Sequence, residues 1–253
     1  MKAGQQQDTR RRLDEALVSR GFFASRSRAR DAVERGTVSV DGVVATKAGQ
    51  AVSDAAVITV ADPAQSYVSR AALKLIAGID HFGIDPSGCN ALDIGASTGG
   101  FTQVLLERGA AHVTAIDVGN GQMHESLKAD PRVSCVEGLN ARDLTAEVLE
   151  SRPLDLIVSD VSFISLKLAL PPALALARSG AHGIFLVKPQ FEAGREAIGK
   201  GGILKNPADG PIVAEALAEW LDAQAGWKSL GLCPSPIEGG DGNREFLLAG
   251  VKA

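Results

Sequence analysis

Apolar residues change their spacing along the chain, and the change separates two regions. Near the start, Leu13, Ala16 and Leu17 lie three and four residues apart, which is the spacing of one helix face. Further on, apolar and polar residues alternate around Asp41-Gly42, a dipeptide typical of a tight hairpin turn. The pattern predicts two short helices packed on a small sheet, which together form an α+β domain over residues 1–61.

Beyond residue 69 the apolar stretches become continuous, as strands buried on both faces require. They alternate with helical stretches, which predicts a doubly wound, mostly parallel α/β sheet over residues 69–253, after a linker at 62–68. A glycine-rich turn before the last strand indicates an antiparallel hairpin at one sheet edge. The strands are predicted at residues 90–94, 112–117, 133–137, 154–159, 183–187, 227–232 and 245–249, and the helices at 69–82, 101–109, 166–178 and 208–222.

The two regions also differ in charge. The chain carries a net charge of −4, yet residues 1–60 hold ten lysines and arginines against seven acidic residues. Seven of those ten lie between Arg10 and Arg30. A local basic face on an acidic protein is typical of a nucleic-acid-binding domain attached to an enzyme, although a solvated arginine-rich helix gives the same pattern.

Cysteine spacing and hydropathy exclude several classes of protein. Cys89, Cys135 and Cys233 are far apart and lack the spacing of zinc ligands, so neither a disulfide framework nor a metal site is expected. The chain opens without a signal-like segment, and its most apolar stretch is interrupted by Pro171-Pro172 and is too short to cross a bilayer. We therefore expect a soluble, cytoplasmic protein with no membrane partner.

A glycine-rich turn, Gly95-Ala-Ser-Thr-Gly-Gly100, follows the first predicted strand of the larger region. Glycines let the backbone turn tightly and allow a ligand to approach closely. The next strand ends about twenty residues later at Asp117, where a carboxylate can accept hydrogen bonds from ribose hydroxyls. The spacing fails the dinucleotide pattern, but a glycine turn alone is compatible with a nicotinamide, a flavin or S-adenosylmethionine.

Four charged residues lie where one active site could collect them: Lys74, Asp160, Lys188 and Glu245. Asp160 and Lys188 end consecutive predicted strands, and the carboxyl ends of such strands form the ligand crevice of an open α/β sheet. Two lysines beside two acids suit the removal of a proton from a weakly acidic hydroxyl. An amine is a base only when neutral, and burial beside a second cation favours that form. Solvated surface charges are the alternative interpretation.

Three phrases in the N-terminal region belong together: Arg12-Leu-Asp, Ser25-Arg-Ser-Arg-Ala and the turn Gly36-x-Val-x-Val-Asp-Gly42. They resemble an S4 domain, the RNA-binding fold of ribosomal protein S4. The resemblance implies electrostatic contacts with RNA phosphates rather than base reading. The arginines implied in these contacts are Arg12, Arg20, Arg26, Arg28 and Arg30.

The phrase Asp93-x-Gly95-x-Ser97-x-Gly99 resembles the first motif of S-adenosylmethionine-dependent methyltransferases. The resemblance implies a Rossmann-like methyltransferase fold with S-adenosylmethionine as the cofactor. It places the glycine turn at the methionine and ribose, and Asn140 near the adenine. The residues implied in cofactor binding are Asp93, Gly95, Ser97, Gly99, Gly100, Asp117 and Asn140.

Lys74, Asp160, Lys188 and Glu245, in this order around that motif, resemble the tetrad of the FtsJ/RrmJ-like RNA ribose 2′-O-methyltransferases. With the S4-like domain in front, the chain is similar to the TlyA family, also labelled hemolysin A, whose members methylate cytidine ribose in ribosomal RNA. The resemblance implies ribosomal RNA or ribosomal subunits as partners, and a reaction without metal. It implies Lys188 as the base, Asp160 and Lys74 as groups that set its charge and orientation, and Glu245 as a residue that holds the site.

Two other functions are compatible with parts of the sequence. A ribosome-binding or assembly protein would result if the methyltransferase domain were vestigial, and a lack of S-adenosylmethionine binding would favour that interpretation. A membrane-lytic function is suggested only by the hemolysin label, and no long amphipathic or spanning segment supports it.

Overall fold

The computed structural model describes residues 10–240 and 242–253. The chain divides into two compact units, Met1–Ser66 and Tyr67–Ala253. Residues 62–66, expected in the linker, therefore belong to the first unit. Within that unit the carboxylate of Asp62 accepts two hydrogen bonds from the guanidinium of Arg35, at 2.7 and 2.8 Å.

The first unit packs two short helices against two small sheets. Its elements are β1 (Arg10–Arg12), α1 (Leu13–Ser19), α2 (Arg26–Glu34), β2 (Val38–Val40), β3 (Val43–Val44), β4 (Ala51–Ser53) and β5 (Ile58–Val60). The predicted hairpin is present as β2 and β3, with β5 on the other side of β2, whereas the pairing of β1 with β4 was not predicted. Leu13, Leu17 and Val33 are buried in the core between these elements, because their spacing places them on inward helix faces.

The second unit is a doubly wound α/β structure. Its elements are α3 (Ala72–Phe82), β6 (Asn90–Ile94), α4 (Gly100–Glu107), β7 (His112–Asp117), α5 (Glu125–Lys128), β8 (Val133–Glu137), β9 (Leu154–Ser159), α6 (Leu166–Ala169), α7 (Pro171–Leu176), β10 (Ala177–Val187), α8 (Pro189–Glu192), α9 (Asp209–Asp222), β11 (Trp227–Pro234) and β12 (Phe246–Lys252), with 3₁₀ turns at Ala141–Asp143, Arg195–Ala197 and Lys200–Gly202.

The seven strands form one sheet in the order β11-β12-β10-β9-β6-β7-β8. Strands β6 to β10 run parallel, and β12 lies antiparallel between β10 and β11. The predicted mostly parallel sheet with an antiparallel hairpin at one edge is therefore confirmed. The direction of winding reverses between β6 and β9, and ligands of open α/β sheets bind at the carboxyl ends of the strands at such a point.

Alternate residues of each strand supply two separate cores. Along β6, Ala91 packs with the cluster that contains Leu75 of α3 and Phe101 of α4, while Leu92 packs with the cluster that contains Leu217 of α9. Side chains of a strand point alternately to opposite faces, so each face of the sheet is covered by its own helices. The strands are therefore packed between these two layers.

Two predicted helices have different bounds in the structure. The stretch 166–178 is not one helix: α6 ends at Ala169 and α7 begins at Pro171, because proline has no amide hydrogen with which to continue a helix. Ala177 is already extended and begins β10. Helix α3 begins at Ala72 rather than at Ser69, whose hydroxyl accepts a hydrogen bond from the amide of Ala71 in the preceding turn.

Candidate active site

The glycine turn brings the end of β6 against the residue that follows β9. Gly95 has a φ of +80°, and a Cβ at this position would lie 2.8 Å from the carbonyl oxygen of Asp160. The amide of Asp160 donates a hydrogen bond to the carbonyl of Ile94 at 3.0 Å. Glycine is required here because both the backbone conformation and the close approach exclude a side chain.

Asp117, at the end of β7, holds the same turn from the neighbouring strand. Its Oδ2 accepts a hydrogen bond from the amide of Ser97 at 2.8 Å, and its Oδ1 accepts one from the amide of Gly119 at 2.7 Å. Ser97 has a φ of +47°, which a residue with a side chain adopts only when its surroundings stabilise it. The carboxylate therefore fixes the turn and keeps further lone pairs with which to accept hydrogen bonds.

Two adjoining cavities open at these strand ends. The larger has a volume of about 740 Å³ and extends from the glycine turn to Asp117 and Asn140. The smaller, of about 180 Å³, extends from the turn to Gly100 and Lys188. The larger volume lies in the range of small-molecule and cofactor sites. Both cavities are lined by Gly95, Ser97, Asp160 and Ser162.

Three residues that were predicted to bind the cofactor contact other groups of the protein instead, or in addition. Asp93 is fully buried beneath the turn, where its Oδ2 accepts a hydrogen bond from the Thr102 hydroxyl at 2.7 Å and burial raises its pKa to about 7. Gly99 directly precedes α4 with a φ of +98°, and a Cβ there would collide with the side chains of Met123 and Leu127. Asn140 lines the larger cavity, but its Oδ1 also accepts hydrogen bonds from the amide and the Nε of Arg142. Asp93 and Gly99 therefore support the glycine turn from the side that faces the protein interior.

The four charged residues form two ion pairs. Lys188 Nζ lies 2.6 Å from Asp160 Oδ1, and it also donates a hydrogen bond to the Ser162 hydroxyl at 2.8 Å. Lys74 Nζ donates a hydrogen bond to Glu245 Oε2 at 2.5 Å. The two pairs differ in burial: Lys74 and Glu245 are 6% and 4% exposed, whereas Lys188 and Asp160 line the cavities.

The two pairs are close enough to influence each other. Burial raises the pKa of Glu245 above its usual value, while the charges of Lys74 and Lys188 lower it and that of Asp160 raises it. Glu245 therefore interacts with all three of the other charges.

The residues after β9 contain two features that the sequence did not single out. Ser162 completes the environment of the Lys188 amine. Phe163 is 91% exposed with a φ of +65°, and its ring centroid lies 5.1 Å from that of Phe191. The local sequence could not predict these contacts, because Ser162 and Phe163 form them with Lys188 and Phe191, which lie nearly thirty positions later.

Comparisons with known proteins match both units. The FtsJ-like methyltransferase model matches residues 67–252, and the S4 domain model matches residues 11–58. The chain belongs to the FtsJ-like methyltransferase family. The match covers the glycine turn, both cavities and all four charged residues.

Individual relatives of this FtsJ-like methyltransferase span nearly the whole chain. It is 45% identical to the 16S/23S rRNA (cytidine-2′-O)-methyltransferase TlyA of Mycobacterium tuberculosis (strain CDC 1551 / Oshkosh), over 94% of this chain and 89% of the relative. It is 40% identical to Hemolysin A of Brachyspira hyodysenteriae, over 93% and 98% of the two chains. A solved Streptococcus thermophilus structure, described provisionally as a hemolysin, superposes with a TM-score of 0.75 at 37% identity, over 96% of this chain and 89% of that one.

Two of these relatives carry hemolysin names, the label that suggested a membrane-lytic function. Among the residues that the structure describes, no helix is both long and apolar enough to span a bilayer. The same residues contain no group of three or more His, Cys, Asp or Glu side chains that could hold a metal ion.

In the S4 domain of this methyltransferase, three of the predicted RNA-contacting arginines surround one buried carboxylate. Asp14 is fully buried, and Arg12, Arg26 and Arg30 approach its two oxygens at 3.0, 3.1 and 2.8 Å. Hydrogen bonds from these guanidiniums hold the pKa of Asp14 well below its usual range. The three arginine side chains are 45% to 49% exposed, so each also faces solvent. Arg26 also pairs with Glu15 at 3.0 Å, so three positive charges meet two negative charges and a net positive surface remains. We call Arg12, Arg26 and Arg30 the arginine cluster.

The other two predicted arginines have backbone partners instead. Arg20 donates hydrogen bonds to the carbonyls of Ser53, Asp54 and Ala56, which ties α1 to the β4–β5 connection. Arg28 donates to the carbonyl of Ala64 at 3.0 Å. Guanidiniums used in this way stabilise the S4 domain and have fewer donors left for a ligand.

Proposed function

We propose that this chain transfers a methyl group from S-adenosylmethionine to the ribose 2′-hydroxyl of cytidine in ribosomal RNA. The observation that carries the proposal is the double ion pair of Lys188–Asp160 and Lys74–Glu245 beside the cavities of the glycine turn. The TlyA relative, with its printed rRNA cytidine-2′-O activity, supplies the acceptor. Because ribosomal RNA is the substrate, the proposal also places the protein in the cytoplasm.

The residues of the larger cavity suit an adenosine-containing methyl donor. Asp117 offers carboxylate lone pairs to ribose hydroxyls, and Asn140 lines the opposite part of the cavity, toward the adenine. Gly95 and Gly100 line the smaller cavity, where we place the methionine end of the donor. A Cβ at Gly100 would lie 2.9 Å from the Cβ of Ser69, so packing within the protein also requires a glycine there. The sulfonium group of such a donor supplies an electrophilic methyl group, and it needs no phosphate-binding pattern.

Lys188 is placed to receive the proton that the 2′-hydroxyl loses. Its Nζ faces the smaller cavity, and Asp160 and Ser162 hold it in position. To act as a base, the Lys188 amine must be neutral when the hydroxyl reacts. The buried Lys74–Glu245 pair does not line the smaller cavity that Lys188 faces, so its proposed role is to support the site from within the protein. The complete set of four favours an active enzyme over an assembly protein with a vestigial domain.

Purified protein should transfer labelled methyl from S-adenosylmethionine to ribosomal RNA or ribosomal subunits. Nuclease digestion followed by chromatography should then recover the label in 2′-O-methylcytidine. Label in a base, or in another nucleoside, would contradict the assigned acceptor. Subunit binding without cofactor binding by calorimetry would instead support the assembly function.

For RNA binding, the proposal assigns phosphate contacts to the arginine cluster rather than to all five arginines. Arg26→Gln should weaken binding and should reduce the slope of log K against log salt concentration by about 0.7 to 0.9, the value of one phosphate contact. Arg28→Gln is the matched control on the same helix, because Arg28 donates to a backbone carbonyl. It should leave the slope unchanged. Equal slopes for both variants, measured by filter binding over a salt series, would reject this division of roles.

A further inference from the structure

Glu192 joins the two segments that carry Lys188 and Asp160. Its Oε2 accepts a hydrogen bond from the Ser165 hydroxyl at 2.6 Å, and its Oε1 accepts one from the amide of Leu166 at 2.7 Å. Glu192 ends α8, the single helical turn that begins directly after Lys188. Ser165 and Leu166 end the loop that begins at Asp160 and enters α6. The carboxylate of Glu192 thus connects the segment that follows Lys188 to the loop that follows Asp160.

The bridged loop is shared by the cofactor cavity and the ion pair. Residues 160–164 line the larger cavity, and Asp160 and Ser162 also line the smaller one beside Lys188. A displacement of this loop would therefore move both partners of the Lys188 amine together.

The same loop contains a backbone conformation that needs support. Phe163 has a φ of +65°, which is unfavourable for a bulky side chain. Its ring lies against Phe191, the residue before Glu192. The loop is therefore held at two points, by Lys188 and by Glu192, while the ring of Phe163 stays largely exposed beside Phe191.

The carboxylate of Glu192 is partly buried, and its hydrogen-bond partners are groups of the protein itself. Burial raises the pKa of Glu192, and the hydrogen bonds from Ser165 and Leu166 lower it, as does the charge of Lys167. These groups all lie at the α6 end of the loop. Glu192 therefore acts through its contacts and not as a fifth charge of the catalytic set.

We infer that Glu192 is a positioning residue for methyl transfer: it holds the 160–165 loop so that Asp160 and Ser162 orient the Lys188 amine. The inference rests on the proposed function. It predicts that loss of the bridge slows the chemical step, because a displacement on the order of 1 Å at a catalytic group lowers rates by about 100-fold. RNA binding through the S4 domain does not involve this loop.

The test compares Glu192→Ala with Glu192→Gln in single-turnover methyl transfer at saturating cofactor and RNA. Glu192→Ala should lower the rate constant by about 10- to 100-fold, with unchanged affinity for RNA. Glu192→Gln should restore most of the rate, because its carbonyl accepts from Leu166 and its amide can pair with the Ser165 oxygen. Glu196→Ala, an exposed carboxylate four residues further on, is the control and should match the unmodified protein.

A double-mutant cycle with Ser165→Ala keeps the test decisive if Glu192→Ala folds poorly. Ser165→Ala should slow transfer less than Glu192→Ala does, and the combined variant should be no slower than Glu192→Ala, since both remove the same bridge. Additive effects, or a wild-type rate constant in folded Glu192→Ala, would overturn the inference. An inactive unmodified protein would refute the proposed function itself, which is a distinguishable outcome.

Discussion

Lys188→Ala should abolish methyl transfer while cofactor binding is largely retained. General-base catalysis contributes about 100- to 10,000-fold, and Lys188 is the amine that faces the smaller cavity. The larger cavity, where the adenosine end of the donor is proposed to bind, is not lined by Lys188. Single-turnover transfer to ribosomal RNA and calorimetry with S-adenosylmethionine measure the two parts separately.

A second substitution separates the charge of Lys188 from its basicity. Lys188→Arg keeps a cation beside Asp160 but cannot give up its proton near neutral pH, so it should be as inactive as the alanine variant. Lys228→Ala is the control, because Lys228 forms an exposed ion pair with Asp222 whose loss costs about 0–1 kcal/mol. Substantial transfer by either Lys188 variant would show that the base is another group.

Lys74→Met should destabilise the second unit by about 3–5 kcal/mol, because it leaves the buried Glu245 carboxylate without its partner. The double variant Lys74→Met/Glu245→Gln should recover most of that stability, since no buried charge remains, yet stay inactive. Urea denaturation gives the free energy of unfolding, and methyl transfer gives the activity. A stable single variant, or an active double variant, would contradict the role of the pair.

The pH dependence of Lys74→Met follows from the pKa of Glu245. Burial already raises the pKa of Glu245 above its value in the unfolded chain. The charge of Lys74 lowers this pKa, so the removal of Lys74 raises it further. The folded variant then binds a proton more tightly than the unfolded chain, so its stability is greatest at low pH and falls as the pH rises through the folded pKa. Destabilisation relative to the unmodified protein should therefore shrink toward acidic pH.

Much of the larger unit was predictable because its strands are continuous apolar runs. The strands Asn90–Ile94, His112–Asp117, Val133–Glu137 and Leu154–Ser159 have the predicted bounds. Each is followed by a turn or a polar residue that marks its end. The helix at 166–178 was predicted wrongly because its apolar pattern continues across Pro171 and into β10, where local pattern cannot distinguish a helix from a buried strand.

The members of the candidate site could be named from the sequence, but their pairing could not. Strand ends placed Asp160 and Lys188 at one sheet edge, and the structure joins them directly. That Lys74 pairs with Glu245, 171 positions later, depends on β12 entering the sheet beside β10. Sequence spacing carries no such information, nor could it show that Glu192 connects the loops of Asp160 and Lys188.

Arg12, Arg26 and Arg30 meet at Asp14, so three long side chains are ordered when the domain folds. The rotamer entropy of a mobile arginine side chain is worth about 2 kcal/mol, and most of it is lost when the guanidinium binds a phosphate. If the arginine cluster binds RNA as proposed, part of that loss has already occurred during folding, through the ion pairs with Asp14. Association is therefore less opposed by entropy than it would be on a helix with freely moving arginines.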